Sequence, residues 1–306
     1  MLIDQVLSHH RCRRIIARAL QVFTKINFQH YETKTALKPT WVLGMFRSGT
    51  SMITNMYVNL GYNLGPKYQQ IRATGNLRHL NPSGFFEDFI FVDLARYFLN
   101  LLKRNGQNPP TKDEVAKLYW DDFSIKEFIY YSLVNLNDDR VSTINKIKCY
   151  IQLIKYGLDG YMNSKGFQPI IKSPMLSFFY SLMQHKWPES KYIIIFRHPH
   201  ATLKSSESLT RNASSELYCS YHRFLLDACE TLPNVIYLSY DHMIRNPDQT
   251  YRLIGNIEGI PFETVRKLNK DLIKKELIRN IPSKNGLNNS ALDIYNLLCD
   301  RAINVI

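Results

Sequence analysis

The chain has 306 residues, of which 45% are hydrophobic and 12% aromatic, which excludes an intrinsically disordered protein. A formal net charge of +13 favours an anionic partner, such as an anionic membrane, nucleic acid or a phosphate- or sulfate-bearing small molecule, although charge that only aids solubility is an alternative. The five cysteines form no C-x-x-C pair, which argues against a zinc site or a disulfide framework and predicts a reducing, cytoplasmic location.

The first 38 residues predict a basic helical segment. Apolar residues recur near helical spacing between Val6 and Phe23, with four arginines interleaved. One interpretation is a helix docked on the domain, and the other is a peripheral membrane contact through the basic helix. The segment contains no apolar run of the length that a signal sequence or a spanning helix needs.

From residue 40 onward, short apolar runs alternate with helical patterns. We predict strands over residues 41–46, 168–172, 191–197 and 234–240. Because each run is continuously apolar and is followed by a helical pattern, the sequence favours a parallel sheet covered on both faces. One helix is expected over residues 175–185. Residues 85–165 are instead helical and aromatic-rich, and we predict that they form an insertion within one domain spanning residues 1–306, on the acceptor side of a substrate cleft.

The stretch GMFRSGTS at residues 44–51 follows the first predicted strand. A glycine loop between a strand and a helix presents backbone N–H groups that attract phosphate. Triphosphate-binding loops carry a lysine after the second glycine, but here Thr50 stands in that place and the cation is Arg47. The loop therefore predicts a single 5′-phosphate with a small group attached, and a plain glycine turn is the alternative.

The stretch IIIFRHPHATLKSS ends a strand in Arg197 and begins a helix at Pro199. Arginine makes bidentate bonds to phosphate oxygens, and Ser205, eight residues further on, is expected to face the same anion. Ligands of open α/β sheets bind at the carboxyl ends of strands. The two stretches thus predict two anion sites for one nucleoside with phosphates at both ends, whereas an ordinary surface ion pair is the alternative for Arg197.

With these two stretches, the chain resembles the sulfotransferases that use 3′-phosphoadenosine-5′-phosphosulfate (PAPS). GMFRSGTS resembles the family's 5′-phosphosulfate loop, and FRHPHATLKSS resembles its 3′-phosphate motif. NPSGFFED at residues 81–88 resembles a segment of the bacterial-type carbohydrate and lipid sulfotransferases, and residues 240–260 resemble a late family segment and its helix. The resemblance implies an α/β fold, a three-layer P-loop-like arrangement of a parallel β-sheet flanked by helices. It also implies PAPS as the sulfuryl donor, no metal, and a small-molecule, glycan or glycolipid acceptor.

The resemblance also implies which residues bind the donor. Arg47, Thr50 and Ser51, with the backbone of Ser48 and Gly49, would hold the 5′-phosphate. Arg197 and Ser205 would hold the 3′-phosphate. The late cofactor loop of the cytosolic branch has only IPSKNGLNN, at residues 281–289, as a candidate here.

Three residues are expected to act in catalysis. Arg47 and Lys172 would stabilise the charge that develops on the departing phosphate, since sulfuryl transfer depends on positioning and charge stabilisation. Glu87 lies in the aromatic, partly dry stretch GFFEDF and would take the proton from the acceptor hydroxyl, with Asp88 as its nearest rival. The cytosolic branch uses a histidine base after the second core strand, but this chain reads IIKSPML there, so no histidine takes that role.

Other functions remain open at this point. A P-loop kinase would need a metal-binding aspartate, for which Asp241 is the strand-end candidate. A catalytically degenerate relative would bind PAPS without transferring the sulfuryl group. A nucleic-acid-binding module is disfavoured, because the lysines and arginines are spread along the chain without a binding motif.

Overall fold

The computed structural model describes residues 37–71, 84–119, 125–134, 141–207, 214–273 and 288–303. Four predicted features lie wholly or partly outside these ranges. They are the N-terminal basic segment, residues 81–83 of NPSGFFED, residues 120–124 and 135–140 of the predicted insertion, and residues 281–287 of the candidate cofactor loop. The expectations for these segments therefore stay predictions.

Within the described ranges, six strands form two sheets. In chain order they are β1 (Thr40–Leu43), β2 (Gln70–Ile71), β3 (Glu87–Asp88), β4 (Ile170–Lys172), β5 (Lys191–Phe196) and β6 (Val235–Ser239). The central sheet is parallel with the order β4-β1-β5-β6, and β2 pairs with β3 in a small antiparallel sheet. The predicted α/β class with a parallel sheet is thus confirmed. Thr40 of β1 lies opposite Ile170 on one side and Lys191 on the other, so these strands end at the same edge.

Helices connect and cover the strands. They are α1 (Thr50–Asn59), α2 (Phe89–Leu101), α3 (Lys112–Val115), α4 (Ile125–Val134), α5 (Thr143–Asn163), α6 (Tyr180–Lys186), α7 (Pro199–Ser206), α8 (Ser215–Thr231), α9 (Tyr240–Arg245), α10 (Pro247–Glu258), α11 (Phe262–Asn269) and α12 (Asn289–Ile303). Local sequence sets several of their starts: the side chains of Ser142 and Ser214 accept N–H bonds at the first turns of α5 and α8, and Pro199 stands in the first turn of α7. Helices α2 to α5 lie in the range of the predicted insertion.

The central sheet is buried on both faces. Trp41 and Leu43 of β1 point into one apolar cluster, while Val42 points into the other. In β5, Ile194 and Ile193 divide between the same two clusters. This alternation follows from the period of two along a strand, and it explains why the strands read as continuous apolar runs.

The helix expected over residues 175–185 is divided in two. Pro174–Phe178 forms a 3₁₀ helix, and α6 begins only at Tyr180, after Phe179 with φ −118° and ψ 19°. The reason is tertiary: Ser177 is fully buried, and its Oγ accepts the N–H of Gly44 at 3.0 Å. The tighter turn therefore places a hydroxyl beneath the loop that follows β1.

Two further properties bear on cellular context. In the ranges given above, no helix combines the length and the hydropathy needed to cross a lipid bilayer. Cys149, Cys219, Cys229 and Cys299 are free thiols.

Candidate active site

Residues 44–51 follow β1 and include the first two residues of α1. Hydrogen bonds within this segment hold its backbone in place. Ser48 is fully buried, and its Oγ donates to the carbonyl of Met45 at 2.5 Å. The N–H of Ser48 donates to the same carbonyl at 3.2 Å, so the backbone donor that the sequence assigned to phosphate bonds within the loop instead. Gly49 N-caps α1, and Thr50 and Ser51 form its first turn. The loop thus presents the amino end of a helix at the carboxyl edge of the sheet.

Backbone conformation in this loop requires a left-handed residue at two positions. Arg47 has φ 68° and Gly49 has φ 99°. A Cβ placed on Gly49 would lie 2.3 Å from Cδ2 of Tyr240, the first residue after β6. Glycine at this position therefore satisfies both the conformation and the close approach of an aromatic ring.

The two predicted anion motifs meet in space. Nε of Arg47 donates to Oγ of Ser205 at 2.9 Å, across 158 positions of sequence. Arg197, at the end of β5, donates from Nη1 to the carbonyl oxygen of Arg47 at 3.4 Å. These contacts bring the loop after β1 together with Arg197 and with Ser205 in the last turn of α7, because β1 and β5 are neighbours in the sheet.

Two tyrosines hold Arg197. Tyr240 opens the segment that resembles a late family segment, whereas no sequence pattern singled out Tyr218. The guanidinium carbon of Arg197 lies 4.6 Å from the centre of the Tyr240 ring, and Arg197 is only 6% exposed. The hydroxyl of Tyr218 in α8 donates to the carbonyl oxygen of Arg197 at 2.9 Å. Tyr218 in turn stacks on His222, with ring centres 3.7 Å apart. No short motif contains Tyr218. Helical periodicity indicates only that Tyr218 is a buried residue of α8, not that it bonds to Arg197.

Asp241, the candidate metal ligand of a kinase, bonds elsewhere. Its Oδ2 accepts the backbone N–H of His198 at 2.6 Å and the hydroxyl of Tyr295 at 3.1 Å. Burial lowers the pKa of His198 below its ordinary value, and Asp241 opposes that effect. The carboxylate thus fixes the turn after Arg197. In the described parts of the chain, no group of three or more histidine, cysteine, aspartate or glutamate side chains is arranged to hold a metal ion.

Lys172, the last residue of β4, joins the loop to Glu87. Its Nζ donates to Oε1 of Glu87 at 2.6 Å, to the carbonyl oxygen of Phe85 at 3.0 Å and to Oγ of Ser51 at 3.3 Å. The side chain of Lys172 is 3% exposed and that of Glu87 is 11% exposed. A cation and a carboxylate therefore lie together beside residues 44–51, which we call the phosphate loop because the sequence predicts that they bind phosphate.

The adjacent Asp88 faces away from this group. Its side chain bonds to Lys165 and Tyr161, and it also caps α2 through the N–H of Phe91. The two rival carboxylates therefore differ in their contacts. Of the two, only Glu87 bonds to Lys172, which in turn bonds to Ser51 at the start of α1. Lys165 was missed by the sequence analysis, because nothing near it in sequence indicates its partner 77 positions away.

Comparison with known proteins identifies the relatives of this chain. The profile of the sulfotransferase family matches residues 39–264, which is most of the chain. No curated protein matches the sequence.

Solved structures with similar folds are also sulfotransferases by name. The sulfotransferase domain of the olefin synthase from Synechococcus PCC 7002 is 18% identical, with 89% of this chain and 98% of that chain covered and a TM-score of 0.47. Sulfotransferase STF1 from Mycobacterium tuberculosis H37Rv is 12% identical, with coverage of 94% and 84% and a TM-score of 0.42. STF9 from Mycobacterium avium is 16% identical, with coverage of 94% and 79% and a TM-score of 0.40.

The contact between Gly49 and Tyr240 yields a first prediction. Gly49→Ala and Gly61→Ala both place a side chain at φ near +100°, but nothing lies within 4 Å of the Cβ at Gly61. Each should lose about 1–2 kcal/mol of unfolding free energy to backbone strain. Gly49→Ala should lose a further 1–3 kcal/mol, roughly, because its Cβ meets the Tyr240 ring. Urea unfolding at constant m-value measures the difference, and equal losses would contradict the close packing of Gly49 on Tyr240.

His222 yields a prediction about pH. Complete burial lowers the pKa of His222 to about 4 from an ordinary 6.5, because the charged imidazolium loses its solvation. Between these pH values the unfolded chain binds the proton and the folded chain does not, so stability should fall as the pH decreases from 6.5 to 4. His222→Asn should remove this proton uptake, so the unfolding free energy should fall by roughly 3 kcal/mol less between pH 6.5 and pH 4 than in the wild type. Urea titrations at several pH values test this, and a variant with the wild-type slope would refute it.

Proposed function

The chain belongs to the sulfotransferase family, and from this premise we propose that it transfers the sulfuryl group of PAPS to a hydroxyl group of an acceptor. The observation that carries the proposal is the bond between Arg47 and Ser205, which unites the loop after β1 with the motif after β5. A donor with phosphate at both ends of one nucleoside requires two neighbouring anion sites. These two motifs supply them on adjacent strands.

The donor site is assigned from these contacts. The amino end of α1, with Gly49, Thr50, Ser51 and the guanidinium of Arg47, suits the 5′-phosphosulfate. Arg197 and Ser205 suit the 3′-phosphate. Ser48 has both its N–H and its Oγ bonded inside the loop, so we assign it to shaping the loop.

Charge stabilisation is assigned to Arg47 and Lys172. PAPS supplies a sulfuryl group on a phosphate that leaves with negative charge, and preorganised cations near that phosphate lower the barrier. The ammonium of Lys172 contacts Ser51 of the helix start, so it lies beside the place assigned to the 5′-phosphate. Its burial strengthens its interaction with a developing anion, since few water molecules screen it.

Glu87 is assigned as the base. Its Oε1 lies 2.6 Å from Nζ of Lys172. The proposed proton acceptor is therefore in direct contact with one of the cations assigned to the leaving phosphate. A carboxylate here can receive the proton of an acceptor hydroxyl while the cations stabilise the leaving phosphate. Asp88 cannot take this part, since Lys165, Tyr161 and the N-terminus of α2 surround it.

We also propose an acceptor class, a cellular location and a set of partners. The acceptor is a carbohydrate, a glycolipid or another small hydroxyl compound that approaches from the side of helices α2 to α5. We propose a cytoplasmic location, consistent with four free thiols, and no nucleic-acid partner. Peripheral membrane contact through the basic N-terminal segment remains part of the proposal.

Donor preference separates this proposal from the kinase alternative. The phosphate loop lacks the lysine that reaches outer phosphates, and Asp241 bonds to His198 and Tyr295. We therefore expect 3′,5′-bisphosphoadenosine to raise the unfolding midpoint more than an equal concentration of ATP with magnesium, because the tighter ligand stabilises the folded state more. A thermal-shift titration measures both, and a larger shift with ATP and magnesium would overturn the proposal.

The role of Glu87 predicts a specific kinetic effect. Glu87→Gln should lower the rate of ³⁵S transfer from labelled PAPS to carbohydrate and lipid extracts by about 10²–10⁴-fold. Its affinity for 3′,5′-bisphosphoadenosine should stay near that of the wild type. Glu258→Gln is the matched control, since Glu258 also pairs with a lysine, Lys191, but at the opposite edge of the sheet. Unchanged transfer by Glu87→Gln would remove Glu87 from the mechanism, and bisphosphate binding without transfer by the wild type would identify a degenerate relative.

A further inference from the structure

Strand β3 consists of two carboxylates, Glu87 and Asp88, that point to opposite sides. Successive residues of a strand alternate in direction, so a constraint on one side chain also fixes the other. Glu87 faces Lys172 and the phosphate loop. Asp88 faces the end of α5. The position of the proposed base is therefore tied to contacts made on the far side of its strand.

Asp88 is enclosed by bonds. Its Oδ2 accepts from Nζ of Lys165 at 2.5 Å and from the hydroxyl of Tyr161 at 3.0 Å. Its Oδ1 accepts the backbone N–H of Phe91 at 3.2 Å, which caps α2. The residue is 3% exposed. A buried carboxylate with this many partners has one well-defined position.

Lys165 connects three segments. Its side chain has no exposed surface, and besides Asp88 it donates to the carbonyl oxygen of Leu64 at 2.8 Å and to Oε1 of Gln69 at 3.2 Å. Gln69 directly precedes β2, the only strand paired with β3 in the described structure. One buried ammonium thus bonds to β3, to the residue before β2 and to the segment after α1.

Strand β3 needs such support because its own pairing is small. It makes two residue pairs with β2, Ile71 with Glu87 and Gln70 with Asp88. A two-stranded sheet of this size is marginally stable by itself. Without the bonds to Lys165, β3 would keep those pairs, the cap of α2, the bond from Tyr161 to Asp88 and the bond from Lys172 to Glu87, but it would lose the charged partner of Asp88.

We propose that Lys165 is a positioning residue: through Asp88 it holds β3 so that Glu87 meets Lys172 at the phosphate loop. The catalytic consequence rests on the proposed function, whereas the structural coupling does not. Lys165 contacts none of the residues assigned to the donor. It acts on the site only through the strand that carries the base.

A double-mutant cycle tests the coupling without any turnover. Asp88→Asn combined with Lys165→Met removes both buried charges, so it should fold even where Lys165→Met alone leaves Asp88 uncompensated. In the wild type, Glu87→Gln should lower the folding equilibrium constant at least about tenfold, because Lys172 loses its buried partner. In the doubly substituted background the same change should cost less than about threefold, since Glu87 no longer meets Lys172 as closely. Equal costs in the two backgrounds would overturn the proposal.

Kinetics give the second readout. Relative to the wild type, the Asp88→Asn/Lys165→Met protein should lose about tenfold or more in kcat, since a displacement near 1 Å is sufficient for such a loss. Its dissociation constant for 3′,5′-bisphosphoadenosine should stay within about twofold, because the anion-binding residues keep their places. A residue that only stabilises the fold would leave kcat per bisphosphate-binding molecule unchanged, and that result would refute the positioning role.

Lys191→Met is the matched control. Lys191 also donates to a carboxylate, Glu258, and to a tyrosine hydroxyl, Tyr62, but it starts β5 at the edge opposite the site. This variant should lose stability and keep kcat. A comparable loss of kcat in Lys191→Met would show that general destabilisation explains both variants and would overturn the proposal. Absence of sulfuryl transfer by the wild type would contradict the proposed function alone, because the cycle still decides the coupling.

Discussion

The site depends on one constraint of the sheet: β1 and β5 are parallel neighbours, so their carboxyl ends, and the residues just beyond them, lie at the same edge. The loop after β1 and Arg197 after β5 are 150 positions apart, yet Arg197 reaches the carbonyl oxygen of Arg47. Lys172 emerges from β4 on the other side of β1, again at this edge. The order of the strands therefore brings Arg47, Lys172 and Arg197 close to the start of α1.

Those three cations occupy different environments. Arg197 lies against an aromatic face and its main chain is held by a tyrosine hydroxyl, which restricts a side chain that would otherwise sample many rotamers. Lys172 is buried against a carboxylate and a helix start. Arg47 sits on a left-handed turn and bonds a serine of another element. Three of the protein's positively charged side chains are thus held in defined positions at the carboxyl ends of the strands.

The sequence predicted the parts of this arrangement that depend on periodicity and on motifs. Continuous apolar runs predicted the four parallel strands, and the spacing of Arg197 and Ser205 predicted that they lie near one site. It could not predict β2 and β3, because strands of two residues carry no periodic signal. It favoured Glu87 over Asp88 as the base, but the aromatic stretch GFFEDF contains both residues and does not indicate their contacts. The structure adds that Glu87 is buried against Lys172 on one side and Asp88 against Lys165 on the other.

The bonds of Asp241 link the turn after Arg197, a residue that we propose binds the donor, to late segments of the chain. Tyr295 of α12 donates to Asp241, and Asp241 receives the N–H of the residue after Arg197. Tyr240 of α9 supplies the ring on which the guanidinium rests. A nascent polypeptide that has emerged only through α7 contains both anion motifs but lacks these supports. Under the proposed function, nucleotide affinity therefore depends on the docking of α9 and α12 as well as on the loop after β1.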